Sequence, residues 1–113
     1  MASNIDERCP ALRRLRKGFV AACELPAIQA GYRAWLGVYP LHSNDFTRLK
    51  GDYRMRVFEV AEEYLADEND VWDGVMVNRA DVCIVGEECL LSRIEEFTEP
   101  ANLNDPQSCS YPL

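Results

Sequence analysis

His42 is the one imidazole in the chain, and it limits the acid–base and metal chemistry the sequence can offer. A thiol nucleophile needs a base beside it. Cys9, Cys23, Cys83, Cys89 and Cys109 would all have to share that histidine, and none is close to it in sequence. His42 follows Pro40 in a turn-rich stretch, where a lone histidine reads as a surface residue. There is no Cys-x-x-Cys pair, and Cys83 and Cys89 stand six apart, outside zinc-site spacing. The Glu-x-x-His pairs of di-iron bundles are missing. Asp67-Glu68-Asn69-Asp70-Val71-Trp72-Asp73-Gly74 is only a distant echo of a calcium loop. No glycine-rich phosphate loop occurs. The expectation is a protein without metal, cofactor or catalytic residue, and so not an enzyme.

Charge is the more informative chemistry. Residues 1–58 hold ten Lys/Arg against five Asp/Glu, and residues 59–113 hold two against fourteen, so +5 precedes −12 within a net −7. Such asymmetry between halves speaks about partners rather than fold. The acidic set begins with Glu59, Glu62, Glu63, Asp67, Glu68, Asp70 and Asp73 and continues with Glu87, Glu88, Glu95, Glu96 and Glu99. Clustered carboxylates speed encounter with a basic partner and reject acidic ones. Trp72, Phe58 and Leu65 beside the first acidic run would supply the apolar anchor, since aromatic side chains dominate interface hot spots. The basic set is Arg13, Arg14, Arg16 and Lys17, then Arg48, Lys50, Arg54 and Arg56. On two helices these would hold phosphates in the manner of a helix-turn-helix reader, although a pI near 4.6 argues against a duplex partner.

The elements expected to carry these groups are helices. Pro10 opens a first helix over about 10–24, with Leu12, Leu15, Phe19 and Ala22 on one face. Pro26 starts a second, with Ile28, Tyr32, Trp35, Leu36 and Tyr39 on one side, ended by Gly37 and Pro40. Ser43 caps a third, on which Phe46, Leu49, Tyr53, Val57, Val60 and Tyr64 repeat at intervals of three and four. Residues 71–85 fit a helix, but Val71, Val75, Val77, Val82, Ile84 and Val85 are β-branched and residues 78–81 resemble a hairpin turn. Glu87 to about Thr98 is helical on either reading. The fold class is therefore mainly α. A single compact helical bundle of four to five helices would span residues 1–99, with an extended C-terminal tail over 100–113. An α+β fold with a β-hairpin at about 71–85 is the alternative.

At 113 residues the chain suits one domain able to fold without staples. An odd cysteine count favours a reducing compartment, and no apolar run approaches the ~20 residues of a membrane span. The N-terminus has neither a basic nor an apolar signal region. The expected protein is cytoplasmic, with no membrane partner. It binds a protein with a basic surface, such as a nucleic-acid-binding protein, as an inhibitor, an immunity-type or nucleic-acid-mimicking antagonist, or an adaptor. The alternatives are a nucleic-acid-binding helical domain and a self-assembling homo-oligomer that matches its own basic and acidic faces. The main reading requires the two charge signs to stay apart in the folded chain.

Overall fold

The computed structural model describes residues 5–41, 51–67, 71 and 73–113. Two short helices, α1 (Ile5–Arg8) and α2 (Leu12–Arg16), lead into strands β1 (Ala21–Leu25), β2 (Tyr32–Pro40) and β3 (Tyr53–Ala61). Helix α3 (Glu62–Ala66), a 3-10 turn at Asp73–Val75, strand β4 (Met76–Ile84) and helix α4 (Glu87–Ile94) follow. Two more 3-10 turns, Pro100–Asn102 and Pro106–Cys109, complete the chain. The strands form one antiparallel sheet in the order β1-β2-β3-β4.

This overturns the helical bundle. The expected first helix keeps only the turn that buries Leu12 and Leu15, after which residues 21–25 extend into a strand. The expected second helix is β2, and the described part of the third is β3 followed by the short α3. Residues 76–84 are one edge strand rather than a helix or a hairpin, with the expected hairpin turn lying inside it. Helix α4 begins where expected and ends four residues earlier, at Ile94.

The physical reason lies in the sheet having two covered faces. On the first, Ala21, Cys23, Leu25, Ala34, Leu36, Val38, Met55 and Val57 meet Leu12, Leu15, Leu90, Leu91 and Ile94. On the second, Trp35, Phe58, Val60 and Met76 meet Tyr64, Leu65, Val71, Cys109 and Tyr111. A strand buried on both sides is apolar at odd and even positions and loses its period-two signature. Tyr53, Val57 and Val60 then mimic a helical stripe, although Val57 belongs to the first face and Val60 to the second. Each large apolar side chain that is fully buried contributes about 1.5–3 kcal/mol. That burial outweighs helix propensity differences of at most ~0.7 kcal/mol per ordinary residue.

Residues 100–113 depart from an extended tail. Leu103 is buried in the first face. Asn104 then pairs with Ala22 along the outer edge of β1, each backbone N–H donating to the other's carbonyl at 2.9 Å. The chain continues onto the second face, where Trp35 Nε1 donates to the Cys109 carbonyl at 2.8 Å. Tyr111 lies edge-on to Phe58 with ring centres 5.6 Å apart, and its hydroxyl bonds that of Tyr39. Gly37 makes room for it, since a Cβ there would overlap the Tyr111 hydroxyl. The segment thus straps one sheet edge and hides it from other strands. Among the described residues no helix is long and apolar enough to cross a membrane.

Candidate functional site

The end of the sheet where β1 turns into β2 and β3 runs into α3 carries the exposed chemistry. Pro26 to Gly31 make the β1–β2 loop, and Gly31 supplies a positive φ of 78° that costs other residues dearly. This loop is pinned from below by Glu59. Its carboxylate, 1% exposed, lies on the first face and accepts the Ile28 N–H at 3.0 Å and the Gln29 N–H at 3.2 Å. Arg79 brings the compensating charge, at 3.3 Å. Arg79 reaches it because the β3–β4 register shifts opposite Val57/Phe58, and its guanidinium also lies over the Phe97 ring. The loop is tied to α3 as well, by the Glu62 N–H donating to the Gly31 carbonyl at 2.8 Å.

So fixed, the loop holds Ile28 out into solvent at 74% exposure. Beside it, Ala30, Gly31 and Tyr32 share a shallow depression of about 410 Å³ with Ala61, Glu62 and Glu63. Glu62, Glu63 and Asp67 are exposed; Glu62 lies in electrostatic reach of the Arg33 guanidinium, and among the described residues no side-chain hydrogen bond or ion pair neutralises Glu63 and Asp67. The arrangement is an exposed isoleucine on a braced loop that is tied through Gly31 to the helix bearing the carboxylates.

The rest of the charge is mixed rather than segregated. Helix α4 packs on the same face as α1 and α2, so late carboxylates meet early arginines. Arg8 binds Glu88 and Glu95, at 3.3 and 2.9 Å. Arg16 binds Glu87 at 2.6 Å, and Arg54 binds Asp81 at 2.6 Å. Arg14 lies 3.8 Å from Asp105. The expectation that the two signs remain apart therefore fails for most of the surface. The Glu62–Asp67 segment keeps three exposed carboxylates outside those pairs, with Glu62 in electrostatic reach of Arg33.

The expected binding residues fall into three groups. Glu62, Glu63 and Asp67 lie together at the exposed end. Glu59 is interior, which removes it from any steering surface, and Phe58 is fully buried against Trp35 and Tyr111. Leu65 is half-buried against the second core. Glu68, Asp70 and Trp72 lie outside the described residues, as do His42, Arg48 and Lys50. Of the basic set on α2, Arg16 is engaged by Glu87 and Asp6, and Arg14 by the Val20 carbonyl, the Phe19 ring and Asp105. Arg13 and Lys17 keep free, exposed charges. Ile28 lies exposed in the β1–β2 loop and not on the helix face expected of it. Its bracketing by Pro26 and Gly31 was the available signal, as that composition marks a loop.

A second cluster of titratable groups sits at the opposite end of the sheet. The Tyr53 hydroxyl donates to Glu87 at 3.0 Å in a depression of about 330 Å³ that Asp52 and Arg16 also line. Burial, reinforced by Glu87, pushes the Tyr53 hydroxyl up to about 12. Arg16, through its hydrogen bond, holds the Glu87 carboxyl below its ordinary value. A phenol kept neutral and a carboxyl kept ionised serve poorly as a proton-transfer pair at mid-range pH. Among the described residues no group of three or more His, Cys, Asp or Glu is placed to hold a metal ion. Cys23, pushed up to about 11 by burial, is not a poised nucleophile, and burial raises Cys9 too. Cys83, on the edge strand β4, is exposed.

The ion pairs make stability depend on acid. Glu87, Asp81 and Glu24 are each held below the ordinary carboxylate value by a guanidinium. A carboxyl lowered in the folded state contributes stability that is complete above its unfolded pKa and lost as pH falls through the lowered one. The thermal midpoint is expected to drop as pH falls from about 5 toward 2, and Arg16→Gln should shrink that drop. An acid limb identical in wild type and Arg16→Gln would show that the Glu87 pair is energetically silent, as many exposed pairs are.

No protein-family model, curated protein or solved structure matches this chain.

Proposed function

We propose that this chain is a small, non-catalytic, cytoplasmic interaction module that docks a protein with a basic surface through the end of the sheet bearing Ile28, Glu62, Glu63 and Asp67. An antagonist or adaptor of a nucleic-acid-binding protein fits this chemistry. The observation that carries the reading is the pairing of exposed carboxylates, Glu63 and Asp67 without ionic partners among the described residues, with an exposed isoleucine on a loop braced by a buried glutamate. Unpaired charge steers encounter, and a rigid apolar side chain holds the complex at low ordering cost. The docking face is narrower than the acidic half of the sequence, because other late carboxylates are occupied by arginines within the fold.

The test is capture from a lysate of the source cells on immobilised wild type, Glu62→Lys/Glu63→Lys and Ile28→Asp. Wild type is expected to retain a basic protein that both variants release. With that protein purified, charge reversal should slow association about tenfold or more at low salt, with the difference closing as salt rises. Ile28→Asp should act mainly by speeding dissociation, by about tenfold or more. Equal retention on all three surfaces would refute this docking end.

A further inference from the structure

A depression of about 360 Å³ lies between α2 and the 3-10 turn that precedes Leu103. Pro10, Ala11, Ala101 and Leu103 line it with apolar surface, and Arg13 and Arg14 add charge. Arg13 has no ionic partner among the described residues, and Arg14 has only the distant carboxylate of Asp105. An apolar hollow with guanidinium groups at its side is the chemical complement of an apolar knob with carboxylates at its side.

The two features lie at opposite ends of β1. Asn104, next to Leu103, pairs with Ala22 near the start of the strand, and the Ile28 loop follows Leu25 at its finish. A strand advances about 3.3 Å per residue, so five residues keep them well apart in one molecule. Between two molecules they are free to meet.

We propose that a second copy of this chain is a partner of the Ile28 end: the Ile28 loop of one copy enters the Arg13 hollow of the next, with Glu62 and Glu63 against Arg13. This rests on the docking end proposed above and names an occupant for it. The contact is heterologous. Each copy keeps one unused knob and one unused hollow, so association continues head to tail into an open chain or closes into a ring. The net charge of −7 repels copies from one another at long range while the local pair attracts, so salt shifts both terms and does not decide the matter.

Charge swapping decides it. Sedimentation velocity at fixed ionic strength would compare wild type, Glu62→Lys/Glu63→Lys, Arg13→Glu, and an equimolar mixture of the two variants. Thermal melts would confirm that each variant folds. Wild type should gain about twofold or more in average mass as concentration rises. Each variant alone faces like with like and should stay monomeric. The mixture should assemble, because each variant's end then meets an opposite charge in the other's hollow. Ile28→Asp, which leaves the carboxylates in place, should be monomeric alone, and mixed with Arg13→Glu it should stop at a heterodimer, because only the intact knob of the Arg13→Glu chain and the intact hollow of the Ile28→Asp chain can pair.

A wild type that stays monomeric throughout overturns the proposal, as does assembly by either charge variant alone or a mixture that remains monomeric. Monomeric wild type that still loses its captured basic protein on Glu62→Lys/Glu63→Lys leaves the docking end standing without self-association. Failure of both experiments removes the docking end itself.

Discussion

Glu59→Ala is expected to cost about 3–5 kcal/mol of folding stability, the range for removing one member of a buried ion pair. The replaced carboxylate accepts two backbone N–H groups and faces Arg79 in an interior setting. Its loss strands Arg79 against Phe97 and leaves the Ile28 and Gln29 amides without their acceptor. An unmet buried polar group alone costs about 1–3 kcal/mol. Against a total of roughly 5–15 kcal/mol for a domain this size, the variant should sit near the edge of folding. Glu59→Gln keeps the shape and one acceptor oxygen and should fall between alanine and wild type. Urea unfolding midpoints measure this series. A Glu59→Ala midpoint within error of wild type would mean that solvent replaces the carboxylate without cost and that nothing braces the loop.

Gly37→Ala should destabilise the fold by about 1–3 kcal/mol, as an added methyl does in a packed site. The obstruction is a single residue. The Tyr111 hydroxyl occupies the space a Cβ would need. Tyr111→Ala should itself cost about 3 kcal/mol, the lower end for losing a large aromatic ring, since Tyr111 is only partly buried. In that background Gly37→Ala should be nearly free, or stabilising through the poor fit of glycine to strands. The expected coupling is therefore about 1–2 kcal/mol, within the range seen for residues in contact. Additive costs would mean that the strap and β2 are energetically independent, contrary to the packing of Tyr111 on Gly37, Tyr39 and Phe58.

Parts of this structure were readable from the chain and parts were not. The Glu87–Ile94 helix shows its acidic first turn and buried Leu90, Leu91 and Ile94, whereas the loop that Pro26 and Gly31 bracket is expected as a helix. The β-branched residues between 71 and 85 carried the strand signal, but the Arg79 bulge and the covered faces disguised its period. Tyr53, Val57 and Val60 give a false helical stripe because the C-terminal strap and α3 bury the second face as well as the first, which no local pattern announces. The charge pattern misleads for a related reason. Summing it by halves ignores that α4 comes home to α1 and α2, so that Arg8 and Arg16 meet Glu88, Glu95 and Glu87. Glu59 could not be told from its neighbours Glu62 and Glu63 by type or spacing. Its burial follows from strand register, in which it pairs with Ala34 on the covered face. Glu62, Glu63 and Asp67 stay outside because the strand has ended by then.

The most direct measurement is an amide hydrogen-exchange footprint of the wild-type chain, free and saturated with the basic protein it retains. Added protection concentrated in residues 26–31 and 61–67, with the α1–α4 face unchanged, is the expected result. Protection that falls on the strapped edge, on α4, or nowhere would contradict docking through the Ile28 end.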